Sequence, residues 1–106
     1  MKAIELNDDN FESTVNGTDL PVLVDFHALW CGPCKMLGPV IEQIAAERDG
    51  RALVAKVDID QAPGLARRFG ITSVPSLMVF KGGEVKGSTR GVQSKASLES
   101  MLDNAD

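Results

Sequence analysis

The hydrophobic residues of this chain fall into short blocks whose spacing predicts alternating strands and helices. Residues 21–29 are rich in β-branched side chains and almost unbroken in apolarity, which is typical of a strand buried on both faces. Residues 3–6 and 51–60 predict two further strands. From Cys34 onward, a long helix with a kink at Gly38-Pro39 is predicted, because apolar residues recur at helical spacing as Leu37, Val40, Ile41, Ile44 and Ala45.

Capping and stop residues predict the ends of the first helix. Asn7 or Asp8 can cap it, because the side-chain oxygen of either residue can accept a backbone N–H at a helix start. Phe11 and Val15 lie four residues apart and so share one helical face. Gly17 is expected to end the helix.

The second half of the chain predicts a short helix, a hairpin and a final helix. Residues 62–70 have a proline near the start and a glycine after the end, which is the asymmetry expected of a helix. Residues 76–80 and 84–90 predict two strands joined by a two-glycine turn. Ser94 can cap the last helix, whose apolar residues are Leu98, Met101 and Leu102.

The predicted order is βαβαβα followed by ββα, which indicates an α/β protein with a mixed sheet covered by helices on both faces. No repeat or linker interrupts this order, so we expect residues 1–106 to form one domain with a loose tail at 103–106. In such sheets the reactive position lies outside the carboxyl ends of the strands. Cys31 lies at that position, on the turn from the buried strand to the long helix.

Charge and composition exclude several classes of partner. The chain has 11 basic and 15 acidic residues and a net charge of −4, which argues against nucleic acid or an anionic membrane surface as a partner. No stretch approaches the roughly 20 apolar residues of a membrane span, and polar residues 7–9 interrupt any leader sequence. We therefore expect a soluble, cytoplasmic protein, with a monomer as the default.

The only two cysteines, Cys31 and Cys34, lie three residues apart. In a cytoplasmic chain this spacing favours redox or metal chemistry. A thiol in the first turn of a helix meets free N–H groups and the positive end of the helix dipole, so Cys31 is predicted to be the nucleophilic thiolate. Cys34 is expected to be more buried and to resolve the mixed disulfide formed with a substrate. Gly32 lets a substrate chain approach, and Pro33 fits the first helical turn.

The segment "WCGPCK" resembles the active site of the thioredoxin family, and "VDF", "AKVDIDQ", "FGITSVPSL", "FKGGEV" and "GVQSK" occur in that family's order and spacing. The resemblance covers essentially the whole chain. It implies the thioredoxin fold, with a five-stranded mixed sheet flanked by four helices, and the activity of a protein-disulfide reductase. It also implies that no cofactor is bound, that the substrates are proteins with disulfides, and that a flavoprotein thioredoxin reductase using NADPH recycles the Cys31–Cys34 disulfide.

Further site residues follow where the family's motifs match. Asp25 lies inside the buried strand, where burial should raise its pKa, and it is a candidate proton acceptor for Cys34. The family pairs this acid with a lysine, which here is Lys56. Pro75 resembles the family's cis-proline, which faces the cysteines and lets the preceding backbone pair with a substrate. By the same resemblance, the substrate platform comprises Trp30, Gly32, Pro33, Ile59, Val74, Pro75, Gly91 and Val92.

The chain departs from the family pattern at His27, where an aromatic residue is usual, and at Leu29, where a small or acidic residue is common. Strand alternation places Asp25 and His27 on one face. A protonated His27 would favour the Cys31 thiolate and make the couple less reducing, which would indicate a specialised protein with a dedicated partner. The alternative is a neutral His27 bonded to Asp60, with no effect on the reduction potential.

Three other functions stay open at this point. The same fold serves oxidants, isomerases and partner-specific redox proteins, although Gly32-Pro33 and the missing leader favour a reductant. Cys31, Cys34 and His27 could bind zinc, but structural zinc takes four ligands and the chain has no second Cys-x-x-Cys. The third is a scaffold subunit whose role survives loss of the thiols.

Overall fold

The computed structural model describes residues 2–105, in which a five-stranded mixed sheet is flanked by four helices, as predicted. The elements in chain order are β1 (Ile4–Leu6), α1 (Phe11–Asn16), β2 (Val22–His27), α2 (Gly32–Glu47), β3 (Leu53–Asp58), α3 (Pro63–Arg68), β4 (Ser76–Lys81), β5 (Glu84–Arg90) and α4 (Lys95–Asp103). Strands β1, β3 and β2 are parallel to one another, β4 is antiparallel to both of its neighbours, β2 and β5, and the spatial order is β1-β3-β2-β4-β5.

Strand β2 lies at the centre of the sheet, and every one of its residues is buried, as the unbroken apolar run predicts. Its side chains alternate between two cores. Leu23 packs with α2 and α4 on one face, and the other members of that core include Leu37, Ile41, Ile44, Leu77, Leu98 and Leu102. Val24 and Phe26 pack with α1 and α3 on the opposite face, beside Phe11, Val15, Leu65 and Phe80. Asp25 and His27 therefore point to the α2 face, where apolar side chains are expected.

The first helix begins at Phe11, so the prediction that Asn7 or Asp8 caps it is wrong; its N-cap residue is Asn10. The Asn7 side chain instead accepts the backbone N–H groups of Asp9 and Asn10 and closes the turn before the helix. Asp8 reaches across to α3, where Oδ1 accepts the backbone N–H of Leu65 at 2.9 Å. Asp8 thus satisfies an N–H in the first turn of a different helix, which local sequence rules could not reveal.

The structure also tests three further predictions: the hairpin turn, the cap of the last helix and the loose tail. Gly82 and Gly83 have φ of 62° and 79°, the left-handed conformation that a two-residue hairpin turn requires. The Ser94 hydroxyl accepts the Ser97 N–H at 3.1 Å and caps α4, as predicted. The prediction of a loose tail is wrong, because Ala105 is only 3% exposed and packs in the core with α2 and α4; Asp106 lies outside the described residues.

The long helix α2 begins at Gly32, two residues before its predicted start, and contains Pro39. Pro33 fits in its first turn because a backbone N–H there would have no carbonyl partner inside the helix. The predicted kink at Gly38-Pro39 stays a prediction. The early start makes Cys31 the N-cap residue, so the cysteine pair lies across the first turn of the helix.

Candidate active site

The two cysteines lie where β2 leaves the sheet and α2 begins. Cys31 has extended backbone angles, φ −90° and ψ 113°, and the backbone N–H of Cys34 donates to its Sγ atom at 3.2 Å. The two residues form a disulfide, with their Cα atoms 5.3 Å apart. Since the N–H and the positive end of the helix dipole both face Cys31 Sγ, this position favours a thiolate once the disulfide is reduced.

Both cysteines are buried to the same degree, 4% exposed for Cys31 and 5% for Cys34, so the expectation that Cys34 is more buried is wrong in the oxidised protein. Ala28, Ile59 and Val74 pack against the pair. Because the disulfide holds the two sulfur atoms together, the same apolar neighbours cover both of them.

The loop before β4 lies directly over the disulfide. The Val74–Pro75 peptide bond is cis, and the Val74 carbonyl oxygen is 3.7 Å from Cys31 Sγ. The backbone N–H of Gly91 donates to the Pro75 carbonyl at 2.8 Å, which ties the end of β5 to this loop. The fold therefore brings these predicted platform residues close to the cysteines although they are distant in sequence.

The predicted substrate platform is unevenly exposed. Trp30 is 69% exposed, and Val92 after Gly91 is also exposed, as are Gly32 and Pro33 in the first turn of α2. Pro75 is buried, and the remaining members, Ile59, Val74 and Gly91, are half-buried. The result is a partly apolar surface around a buried disulfide, on which a partner chain can rest.

Trp30, rather than His27, binds Asp60. The indole Nε1 of Trp30 donates to Asp60 Oδ2 at 2.8 Å, so the predicted His27–Asp60 hydrogen bond is absent. Asp60 itself is held by its backbone N–H, which donates to Asp58 Oδ1 at 2.9 Å. Because residues 28–31 turn away from the strand, the Trp30 ring reaches over the loop after β3, a path that strand alternation could not predict.

His27 is 8% exposed, and its Nε2 atom has no hydrogen-bond partner among residues 2–105. Burial lowers the pKa of His27, and the positive charge of Lys56 lowers it further, against smaller opposing effects of Glu5 and Asp58. A lowered pKa favours the neutral imidazole at pH 7, so the structure gives no support to the hypothesis of a protonated His27 beside the cysteines.

Asp25 is 1% exposed, and its Oδ1 atom has no hydrogen-bond partner within residues 2–105. Burial raises the pKa of Asp25 from 3.8 to about 7, whereas Lys56 lowers it and Glu5 raises it slightly. A carboxyl group with this pKa exchanges its proton near neutral pH, as a general acid or base must.

Lys56 lies beside Asp25 in the sheet, since the two residues are register partners on β2 and β3. Its ion pair goes elsewhere, however: Lys56 Nζ lies 3.5 Å from Oε2 of Glu42 on α2. Sequence reasoning missed Glu42, although the spacing of four residues between Cys34, Gly38 and Glu42 places all three on one face of the helix.

A cavity of about 160 Å³ lies behind the disulfide, lined by Asp25, His27, Ala28, Leu29, Cys34, Lys35, Gly38 and Lys56. This volume accommodates several water molecules; its surface is largely apolar, and Asp25, His27 and Lys56 supply polar groups to it. Leu29, at 68% exposed, borders the cavity. Asp25 and Cys34 therefore border the same cavity.

Among residues 2–105, no group of three or more His, Cys, Asp or Glu side chains is placed to hold a metal ion. Within that range, no helix is both long and apolar enough to cross a membrane.

A mixed α/β sheet with a Cys-x-x-Cys disulfide at the start of a helix defines a thiol–disulfide oxidoreductase. The thioredoxin family model matches residues 2–104. The thioredoxin of Chlorobaculum thiosulfatiphilum is 43% identical over 102 residues, which cover 96% of this chain and 94% of that protein. The thioredoxin of Rickettsia conorii is 50% identical over 91 residues, covering 86% and 87%, and thioredoxin 1 of a Nostoc species is 43% identical over 101, covering 95% and 94%.

This chain belongs to the thioredoxin family. The predicted family, fold and protein-disulfide oxidoreductase activity are thereby confirmed, and nothing supports the specialised, less reducing alternative.

Proposed function

We propose that Cys31 is the nucleophile and Cys34 the resolving thiol of a general protein-disulfide reductase. The Cys31 thiolate attacks one sulfur of a substrate disulfide, a mixed disulfide forms, and the other substrate sulfur leaves as a thiolate. Cys34 then attacks Cys31 Sγ, which releases the second substrate thiolate and leaves the Cys31–Cys34 disulfide. Two electrons pass to the substrate in each cycle. The Cys34 N–H bonded to Cys31 Sγ is the observation that carries this assignment.

Asp25 is the proton acceptor for Cys34 in this proposal. The Cys34 thiol must lose its proton before it attacks, and Asp25 has a pKa of about 7 and borders the same cavity. Lys56 moderates that pKa through its positive charge. Two features support the pair: their position side by side in the sheet and the shared cavity.

The substrate rests on the platform around the disulfide, with Trp30, Val74 and Val92 as its apolar contacts. The family supports partners of two kinds, a reductase and proteins with disulfides. A flavoprotein thioredoxin reductase using NADPH, a monomeric state, one domain over residues 1–106 and a cytoplasmic location are the finer parts of the proposal, each of which stays a prediction.

Trapping a mixed disulfide tests the two thiol roles. Cys34→Ser should accumulate a covalent complex with a disulfide substrate, because Cys31 attacks and nothing resolves the product. Cys31→Ser serves as the matched control and should accumulate none. If only Cys31→Ser accumulated the covalent complex, the nucleophile would be Cys34 and the resolving thiol Cys31. For the wild-type protein, a reduction potential well below that of glutathione supports the reductant, and one near or above it would favour an oxidant or a dedicated redox protein.

A further inference from the structure

Glu42 is held at both of its carboxylate oxygens. Oε1 accepts the backbone N–H of Ala3 at 2.8 Å, and Oε2 lies 3.5 Å from Lys56 Nζ. These contacts join α2 to the segment before β1 and to β3. Because one oxygen is already bonded to the backbone, the other is fixed in direction, and Lys56 must extend toward α2 to meet it.

Lys56 therefore has three carboxyl groups as neighbours: its register partners Asp25 on β2 and Glu5 on β1, and Glu42 on α2. Its ion pair is with Glu42. Among residues 2–105, Asp25 Oδ1 accepts no hydrogen bond, and Lys56 acts on it only at longer range. Within the described residues, Asp25 therefore lies next to Lys56 in the sheet but has no direct ion-pair partner.

We propose that Glu42 is a positioning residue of the redox site, which holds the Lys56 ammonium group away from Asp25 and so leaves the buried carboxyl without a close counter-ion. The consequence for catalysis rests on the proposed role of Asp25 as the proton acceptor for Cys34. The claim about position does not rest on that role, because it concerns only where the Lys56 ammonium group lies.

Of the other described groups that face Asp25, none is a cation held in an ion pair. Glu5 on β1 has the same charge as Asp25 and opposes its ionisation. His27 on the same strand is neutral, and the β4 register partner is the apolar Leu77. From α2, Cys34 and Lys35 line the cavity that Asp25 borders. Of these groups, Lys56 is the one that both neighbours Asp25 in the sheet and forms an ion pair that a single substitution can release.

The sign of the effect follows from two contributions. Glu42→Gln removes the negative charge on α2 that lies 3.5 Å from Lys56 Nζ, and it frees the Lys56 ammonium group to approach the Asp25 carboxylate. Both changes favour the ionised carboxylate. Glu42→Gln should therefore lower the pH at which Asp25 titrates.

The direct test follows the side-chain carboxyl carbon of Asp25 by NMR during a pH titration of the oxidised protein. Glu42→Gln should move the titration midpoint down by about 1 pH unit, the lower end of what an approaching opposite charge produces. Glu47→Gln is the matched control: it lies on the same helix and breaks an ion pair with Lys95, so it should leave the midpoint unchanged. An unmoved midpoint in Glu42→Gln would overturn the proposal.

The same substitution in a Lys56→Met protein distinguishes the positioning of Lys56 from the simple removal of the Glu42 charge. In Lys56→Met there is no ammonium group to release, so adding Glu42→Gln should shift the Asp25 midpoint much less than it does alone. An equal shift in both backgrounds would mean that Glu42 acts only through its own charge, and the proposal would be wrong.

The rate of mixed-disulfide resolution against pH then tests the link to catalysis. If Asp25 accepts the Cys34 proton, the pH profile of this step in Glu42→Gln moves by the same amount as the carboxyl midpoint. If the midpoint moves and the profile does not, the positioning role of Glu42 stands and the proposed role of Asp25 fails. The two failures are therefore distinguishable.

Discussion

Removing the charge of Asp25 should stabilise the protein at neutral and alkaline pH. The carboxyl group lies in the apolar face between β2 and α2, and its Oδ1 atom has no partner among residues 2–105. In the unfolded chain the same carboxylate is hydrated. Ionised Asp25 is therefore less favourable in the folded protein than in the unfolded one, and Asp25→Asn or Asp25→Leu removes this difference.

The magnitude follows from the change in pKa between the two states. Folding raises the pKa of Asp25 from 3.8 to about 7. At 1.36 kcal/mol for each pH unit, ionisation of the folded protein costs ~4 kcal/mol. Because the folded pKa is the higher one, the favourable contribution of protonated Asp25 is complete below pH 3.8, declines as the pH rises, and is lost above about pH 7. The variants should gain stability over the wild type across that interval.

Denaturant titrations of the oxidised protein, followed by far-ultraviolet circular dichroism from pH 4 to 8.5, measure the effect. The difference in free energy of unfolding between variant and wild type should grow by ~4 kcal/mol over this range. Asp25→Asn and Asp25→Leu control each other: they differ in packing and hydrogen bonding, which shifts the whole curve, but they share the loss of charge, which sets its pH dependence. A difference that stays constant with pH in both variants would refute the argument.

Three smaller perturbations test other contacts. Ser94→Ala removes the cap of α4 and should lower the free energy of unfolding by about 1 kcal/mol in a denaturant titration. Asp8→Ala removes the acceptor of the Leu65 N–H and should cost about 1 kcal/mol, with faster amide hydrogen exchange in α3 as its local sign. His27→Phe replaces a neutral ring and should leave the reduction potential, measured against glutathione, within about 30 mV of the wild type; a larger shift would show that His27 carries a charge.

Much of the fold could be predicted because its determinants are local. The apolar run of β2, the two-glycine turn at residues 82–83 and the Ser94 cap each act within a few residues, and each is found as predicted. Asp8 and Ala105 show where this fails. Asp8 bonds a helix 57 residues away, and Ala105 is buried by elements from the middle of the chain. Neither contact leaves a signal in the neighbouring sequence.

The candidate site likewise has features that could be predicted from the sequence and features that could not. The cysteine pair and the buried Asp25 could be located from the sequence because a motif and an apolar run mark them. The partners of polar side chains could not. Strand alternation gives the face of His27 but not its lack of a hydrogen bond, and the Trp30–Asp60 contact depends on the path of the chain after β2. Periodicity predicts the face of the sheet on which a side chain lies. The direction in which the side chain points on that face, and hence its hydrogen-bond partner, is set by tertiary packing.

The unpaired state of Asp25 and its chemistry are two consequences of one arrangement. A close ion pair between Asp25 and Lys56 would stabilise the carboxylate, remove the stability cost at neutral pH and lower the pKa below the range useful for accepting the Cys34 proton. With Lys56 bonded to Glu42, the folded protein instead keeps an acid that titrates near pH 7. The free energy that Asp25→Leu should recover is therefore the same free energy that suits the carboxyl group to its proposed role as proton acceptor. A variant in which Lys56 paired directly with Asp25 should gain stability and lose that role together.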